Sequence, residues 1–272
     1  MRKILKMAAV ALPVVIGAAF PASAGTITNV QIPGYGLANL PTGNWGSFGF
    51  TLTDNQPGGF LDQAYGSASQ SVWYGGQITL ATDSGTLGVW CVDLLHDIYI
   101  GGAYSDAKQA LTTNNANGAK GVQSTSLSTE QVQKIAALAA LGNAVLAKFG
   151  NVNDTIDPSL RSAYNANLSL LPPGDVIAFA DDLTSFSAAI QASIWDVEYR
   201  TTASGSADFN ADFGLIATDI GRFGNIGGYQ LTVNNGQIQG QFVSAVPEPG
   251  TLVLLGVGLI SVVAARRKVA SA

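Results

Sequence analysis

The segment that decides the fold is residues 90–94, which read WCVDL and form a strongly β-like run. At its centre lies Cys91, the only cysteine of the chain. The chain begins with basic residues followed by an apolar stretch over 7–20, the pattern of an export signal. Exported proteins normally use their cysteines in pairs, as disulfides. A single cysteine in such a protein indicates an intermolecular bond or a reactive thiol.

A second segment, residues 190–195, reads IQASIW and lies on a predicted helix that Asp181 or Asp182 caps. Gln191 is a direct neighbour of the apolar face of that helix, so we expect its side chain to point toward the sheet. The residues of this face, at helical spacing, are Phe186, Ile190, Ile194 and Val197.

Together, Cys91 and Gln191 predict an internal thioester. A thiolate attacks a glutamine carboxamide, expels ammonia and leaves an activated acyl group that can later acylate an amine or a hydroxyl on another molecule. The reaction needs thiolate character, a carboxamide held at near-attack distance and the exclusion of water. A cysteine on a rigid strand facing a glutamine on a packed helix meets these needs, with Trp90 and Trp195 as an aromatic wall around the bond.

Elsewhere, the periodicity of the chain predicts strands, then helices, then strands. Alternating runs predict strands at 26–32, 46–53, 71–82 and 87–100, and a hairpin at 229–233 and 237–243. A capping box at 128–131 begins a helix that ends near 150, and further helices are predicted at 158–170, 181–198 and 206–220. We therefore expect an α+β fold: one extracellular domain over 25–245, with a β-sandwich or barrel-like part and a helical insertion at about 125–220.

The N-terminus reads as a secretory signal peptide over residues 1–24. Arg2, Lys3 and Lys6 form a positive region, residues 7–20 are apolar, and residues 22–24 read ASA, a cleavage site. We expect cleavage between Ala24 and Gly25. An uncleaved anchor helix is the less favoured alternative, because the apolar stretch is short for a membrane span.

The C-terminus has three parts in a fixed order. They are the tripeptide Pro247, Glu248 and Pro249, an apolar run over 251–265, and a basic cluster. The apolar run predicts a transmembrane helix, and the positive-inside rule keeps the cluster Arg266, Arg267 and Lys268 cytoplasmic. This order resembles the PEP-CTERM sorting signal of Gram-negative bacteria. The resemblance implies processing by an exosortase, with the helix as a transient inner-membrane anchor, and delivery to the cell surface, outer membrane or extracellular matrix.

The body resembles the bacterial Cys–Gln thioester adhesin domains, called TQXA-type. Residues 90–94 are similar to their aromatic-Cys-Ile/Val-Asp segment, and residues 190–195 are similar to their Thr-Gln-x-Ala-aliphatic-Trp segment. The resemblance implies a β-sandwich or barrel-like part joined to a helical part by a thioester between Cys91 and Gln191. Ile190 stands where the family has threonine, and Ser193 stands where it has alanine.

Charge and missing motifs exclude several function classes. The chain has 13 basic and 18 acidic residues, and six of the basic ones lie in the terminal signals, which leaves the body with a net charge near −11. Such a body lacks the basic footprint of a nucleic-acid-binding protein. The sequence contains no G-x-S-x-G, H-E-x-x-H or phosphate-binding loop, so hydrolase, zinc-protease and nucleotide readings have no support.

Two weaker candidate sites are less favoured. His96, the only histidine, lies five residues from Cys91 on the predicted strand and so faces the opposite side, away from a Cys–His hydrolase arrangement. Asp93, Asp97 and Asp106 have oxygens of the kind that bind calcium, but no EF-hand-like spacing is present. We therefore expect no metal and no cofactor, and assign Asp93 to the surroundings of the thioester.

Two hypotheses remain from this sequence. The first is a surface or matrix protein that adheres covalently, through the thioester, to a nucleophile of a surface polysaccharide or protein, and is used once rather than turning over as an enzyme. The second is a non-covalent structural module of the biofilm matrix with the same fold and no thioester, which the isoleucine at 190 favours.

Overall fold

The computed structural model describes residues 24–31, 49–82, 85–95, 103–109, 111–114, 116, 118–149, 161–223, 228–233 and 238–244. The predicted signal peptide before its cleavage site, His96, Asp97, the hairpin turn at 234–237 and the whole C-terminal signal lie outside these residues.

The described chain forms strands and helices in mixed order, which confirms the α+β class. The strands are β1 (Ala24–Gln31), β2 (Phe50–Asp54), β3 (Ser69–Val72), β4 (Ile78–Thr82), β5 (Gly85–Cys91), β6 (Tyr104–Gln109), β7 (Thr201–Ser204), β8 (Gly228–Val233) and β9 (Ile238–Ser244). The helices are α1 (Phe60–Tyr65), α2 (Thr129–Phe149), α3 (Arg161–Leu168), α4 (Pro173–Asp181), α5 (Leu183–Tyr199) and α6 (Ala207–Asp219), with a short 3₁₀ turn at Ala119–Gly121.

The strands form two antiparallel sheets. The larger has the order β1-β4-β5-β9-β8-β6, and β6 also pairs with β1. Between β5 and β9 the described residues give two pairs in register, Trp90 with Phe242 and Cys91 with Gln241. The smaller sheet has the order β3-β2-β7. The finer expectation of a sandwich or barrel-like body stays a prediction.

Helices α2 and α5 form the centre of the core. Every residue from Ile135 to Leu146 of α2 is buried, and so is every residue from Thr184 to Trp195 of α5. The predicted capping box is present, because Ser128 Oγ accepts from the Gln131 amide and Gln131 Oε1 accepts from the Ser128 amide, at 3.2 and 3.0 Å. Gln131 Nε2 also donates to the Val197 carbonyl at 2.8 Å, which ties the start of α2 to the end of α5.

Both ends of α5 are fixed by local chemistry. Asp182 Oδ1 accepts from the amides of Thr184 and Ser185, so the predicted aspartate cap is confirmed at Asp182. The helix ends at Arg200, which adopts a left-handed conformation with φ 57°. The chain turns there directly into β7, which pairs with β2.

The long strand predicted over 71–82 is wrong, because it is split into β3 and β4, which belong to different sheets. Gly75 lies between them, and the ring of Phe50 occupies the space that a Cβ at Gly75 would need. The chain can therefore pass close to Phe50 only without a side chain, and it leaves one sheet there to enter the other.

The strand predicted over 87–100 ends early, at Cys91. Asp93 Oδ1 accepts from the Leu95 amide two residues on, at 2.9 Å, in a turn typical of aspartate. No strand continues through residues 92–95, so the prediction that one strand places His96 and Cys91 on opposite faces is wrong.

Four helices and strands were not predicted. One is β6, which lies beyond the end of the strand predicted over 87–100. Helix α4 begins at Pro173, between the helices predicted over 158–170 and 181–198, because proline is favoured at the first position of a helix. Helix α1 begins where both carboxylate oxygens of Asp54 accept from the amides of Leu61 and Asp62. Strand β7 lies inside the predicted helical insertion, so that the region from 125 to 220 is not helical throughout.

Candidate functional site

The two predicted reactive residues are brought together, although they lie a hundred residues apart in sequence. The Cys91 amide donates to Gln191 Oε1 at 2.9 Å, and Gln191 Nε2 donates to the Cys91 carbonyl at 2.8 Å. Both side chains are enclosed: Cys91 is 3% exposed and Gln191 is 1% exposed. The Gln191 carboxamide is therefore held against the backbone of Cys91 by two hydrogen bonds in a site closed to bulk water.

The position of Cys91 in its strand explains why a glutamine is accepted there. β4 begins at Ile78, which pairs with Val89 of β5. Residues two apart on a strand direct their backbone groups to the same edge. Cys91 therefore presents its amide and carbonyl just beyond the end of β4, and Gln191 supplies the partners that these buried groups require.

The Cys91 thiol is buried and donates to the Asp93 carbonyl oxygen at 3.0 Å. Burial raises its pKa well above the usual range, and the carboxylates of Asp93 and Glu198 raise it further, against the lowering effect of the hydrogen bond to Asp93. The resting thiol is therefore protonated at neutral pH.

The two predicted tryptophans lie in different surroundings. Trp195 is buried one turn after Gln191 and contacts Phe50, with ring centroids 6.0 Å apart. Its indole N–H has no hydrogen-bond partner among the described residues. The indole also lowers the pKa of the Cys91 thiol, against the larger opposing effect of burial. Trp90 packs on Gly142 of α2, and its N–H donates to Asn143 Oδ1 at 2.9 Å. Trp90 thus supports β5 from the α2 side, while Trp195 lies beside the thiol.

Sequence reasoning missed Glu198, which is 3% exposed on α5. Neither of its carboxylate oxygens has a hydrogen-bond partner among the described residues. Burial, followed by the nearby Asp93 carboxylate, raises its pKa well above the usual value. Gln191, Trp195 and Glu198 are spaced i, i+4 and i+7, which places them on one helix face. That spacing was the available signal.

Tyr199 was also missed, and it closes the end of the site. Its hydroxyl donates to the Asn114 carbonyl at 2.8 Å and accepts from the Leu94 amide at 3.1 Å. Its ring packs on Phe60 of α1, with centroids 4.2 Å apart. Tyr199 therefore fixes the segment that follows Cys91 against the end of α5.

A pocket of about 240 Å³ opens next to this site. Cys91 and Gln191 do not line it, but Trp195 and Asp93 do, so the pocket reaches the residues that surround the thiol. Its walls are mixed aromatic, aliphatic and polar. The lining residues are Leu52, Leu61, Tyr65, Gln70, Ser71, Val72, Tyr74, Asp93, Leu94 and Trp195.

Of the weaker candidates, the structure describes Asp93 and Asp106, and it places them on different parts of the fold. Asp106 lies on β6, in the part of the larger sheet that pairs with β1 and β8, whereas Asp93 lies in the site described above. Within the described residues no group of three or more histidine, cysteine or acidic side chains is placed to hold a metal ion.

One helix among the described residues, α2, is long and apolar enough to cross a membrane. It is mostly buried inside the body, where it packs against α5 and α3, and it is the core helix of the fold. The predicted sorting helix at 251–265 lies outside the described residues.

Comparison with known protein families identifies the end of the chain. Residues 245–268 match the PEP-CTERM protein-sorting motif. The match contains Pro247, Glu248 and Pro249 and the basic cluster, so that part of the sequence interpretation is confirmed. The protein is exported and is sorted to the cell surface through exosortase processing. Comparisons with curated proteins and with solved structures found no match.

Proposed function

We propose that this exosortase-sorted protein is a covalent adhesin whose Cys91 and Gln191 form an internal thioester. The observation that carries the proposal is the pair of hydrogen bonds that hold the Gln191 carboxamide on the Cys91 backbone. The proposal extends to the architecture, in which the larger sheet is the sandwich or barrel-like part of a thioester domain and α2 to α6 are its helical part.

The direction of the hydrogen bonds favours attack by the thiol. On a strand, a side chain stands roughly perpendicular to the backbone hydrogen bonds of its own residue. The Cys91 thiol therefore projects away from the plane in which its backbone holds the carboxamide. A nucleophile approaches a carbonyl carbon from outside the carbonyl plane, so a rotation that releases Sγ from the Asp93 carbonyl directs sulphur toward Cδ of Gln191.

The same contacts assist the chemistry. The Cys91 amide lies 2.9 Å from Gln191 Oε1, where negative charge develops when sulphur adds to the carbonyl carbon. The C–S bond forms, the C–N bond breaks, and ammonia leaves with the thiol proton. The burial of both residues then protects the thioester from hydrolysis until a nucleophile arrives.

The pocket beside Trp195 is the route that we assign to the nucleophile, an amine or a hydroxyl of a surface polysaccharide or protein. Before exosortase processing, the apolar segment at 251–265 anchors the protein in the inner membrane. After processing, the body acts at the cell surface or in the extracellular matrix. Because each acyl group is used once, the protein is not a turnover enzyme.

The decisive experiment is the intact mass of the exported protein, purified without reductant. We expect the wild type to be lighter than its sequence mass by one ammonia, and methylamine to add to it. The Gln191→Ala variant should show its full sequence mass and take up no methylamine. Gln63→Ala, which removes a glutamine exposed on α1, is the matched control and should behave as the wild type. A wild type of full mass with a titratable thiol refutes the thioester.

A second candidate function is a non-covalent matrix module of the same fold. The raised pKa of Cys91 favours it, because a protonated thiol is a weak nucleophile. In this alternative Gln191 serves only to satisfy the strand edge. Cys91→Ala separates the two: it abolishes covalent capture of a partner under the first and leaves binding intact under the second.

A further inference from the structure

The buried carboxyl group of Glu198 has no structural task that its contacts reveal. A carboxyl group enclosed in protein normally has hydrogen-bond partners, because burying it without them is costly. Glu198 is only 3% exposed, and neither of its carboxylate oxygens has a hydrogen-bond partner among the described residues. Such a group calls for an explanation beyond stability.

Its place on α5 directs it to the thioester pair. Seven residues are close to two helical turns, so Glu198 lies on the same face as Gln191, with Trp195 between them along the helix. The Glu198 carboxylate is one of the groups that raise the pKa of the Cys91 thiol, after burial. Among the described residues, the other titratable groups beside Glu198 are Asp93, which follows β5, and Tyr199 on α5.

The reacting atoms face the Glu198 end of the site. The segment after β5 runs along α5 in the same direction, because Cys91 contacts Gln191 while Leu94, further on, contacts Tyr199. Nε2 of Gln191 bonds to the Cys91 carbonyl, on the C-terminal side of that residue, and the thiol points to the Asp93 carbonyl. The leaving nitrogen and the attacking sulphur thus both lie on the side of the site where Glu198 lies.

We propose that the Glu198 carboxyl group transfers the proton during thioester formation. One oxygen accepts the thiol proton as sulphur bonds to Cδ of Gln191, and the other donates a proton to the nitrogen as the C–N bond breaks, directly or through one bridging water. Ammonia leaves and the carboxyl group returns to its starting state, so protons and electrons balance. This inference depends on the proposed function, because it assigns a role within the same thioester chemistry.

The experiment follows the appearance of the thioester in newly synthesised full-length chain. The chain is made in a short cell-free pulse, and the fraction that is lighter by one ammonia is measured over time by intact mass, from pH 5 to pH 9. For Glu198→Gln we expect formation to slow at least about 100-fold, the lower range of a general acid–base contribution. The pH dependence of the wild type, set by one carboxyl ionisation, should disappear in this variant.

Two further variants complete the design. Glu198→Asp keeps the carboxyl group on a side chain that is shorter by one methylene. We expect its rate of thioester formation to lie between those of the wild type and Glu198→Gln, with the pH profile of the wild type. Asp212→Asn neutralises a buried carboxyl group of α6, outside the site, and should form the thioester at the wild-type rate.

The outcomes separate this inference from the proposed function. A wild-type rate and pH profile in Glu198→Gln overturn the role of Glu198 and leave the thioester in place. A wild type that never loses ammonia refutes the proposed function, and the role of Glu198 falls with it. If circular dichroism shows Glu198→Gln to be unfolded, Glu198→Asp decides: a slowed rate in the folded variant supports the role, and an unchanged rate overturns it.

Discussion

Asn143 of α2 accepts two buried hydrogen bonds beside β5, the strand that contains Cys91. Its replacement by alanine should destabilise the protein strongly. Its Oδ1 accepts from Gln77 Nε2 at 2.7 Å and from Trp90 Nε1 at 2.9 Å, and all three residues are buried. Asn143→Ala takes this acceptor from two enclosed donors at once. A buried polar group that loses its partner costs about 1–3 kcal/mol, so we expect a loss of about 2–5 kcal/mol in the free energy of unfolding.

The assay is urea unfolding followed by far-ultraviolet circular dichroism, with variants matched by intact mass so that their Cys91–Gln191 state is the same. With a slope of about 2 kcal/mol per molar urea, the expected loss lowers the midpoint of unfolding by roughly 1–2.5 M. Since a domain is stable by only about 5–15 kcal/mol, such a shift is easily resolved.

Trp90→Phe provides the control, because it removes one of the two donors and keeps most of the ring. We expect Asn143→Ala to lower the free energy of unfolding less in the Trp90→Phe background than in the wild type. The difference between the two losses should be about 1 kcal/mol or more. A loss below about 1 kcal/mol for Asn143→Ala, with an unchanged denaturant slope, would refute the reasoning, since it would mean that the two donors find other partners without cost.

Four other substitutions test separate features of the fold. Gly142→Ala should lower the free energy of unfolding by about 1–2 kcal/mol, measured in urea, because the new methyl group would lie 2.9 and 3.0 Å from ring atoms of Trp90. Gly214 has open space around it, so Gly214→Ala should stabilise α6 by up to about 1 kcal/mol. Burial, followed by neighbouring aspartates, raises the pKa of Asp212 to about 7, so the folded state holds a proton that the unfolded chain releases above about pH 4. Stability should therefore fall as pH rises from 4 to 7, by about 2 kcal/mol allowing for partial solvation, and thermal melts of Asp212→Asn should lose this slope. Ser206→Ala removes the hydroxyl that caps α6 and should cost about 1 kcal/mol, and an unchanged urea midpoint would contradict the assigned cap.

The helices that could be predicted are those whose signals are local. The capping box at Ser128 and the aspartate cap at Asp182 mark starts that the structure confirms, because a cap is a contact between residues two or three apart. Pro173 shows the limit of such signals, since the same residue type ends one helix and begins another. The close approach of Gly75 to Phe50, which divides the predicted long strand, depends on a residue 25 positions away and leaves no local pattern.

The candidate site also contains residues that local sequence patterns indicate and a residue that only the tertiary fold brings to it. Cys91 and Gln191 were paired from two short motifs, and the contact between them is present. Glu198 and Tyr199 lie on the helix face that Gln191 begins, so helical spacing alone would have placed Glu198 near the pair. Tyr199, by contrast, matters through its hydroxyl contacts with Leu94 and Asn114, which only the tertiary fold brings to it.

The position of β9 has a mechanical consequence. The strand ends at Ser244, and the sorting motif begins at the next residue. Tension applied to the C-terminal end of the chain would therefore enter the body along the length of β9. Because β9 pairs on one side with β8 and on the other with β5, where Trp90 and Cys91 are in register with it, that tension would act in shear on both neighbours. Several backbone bonds then share the load, and the strand that holds Cys91 lies directly in the path of the force.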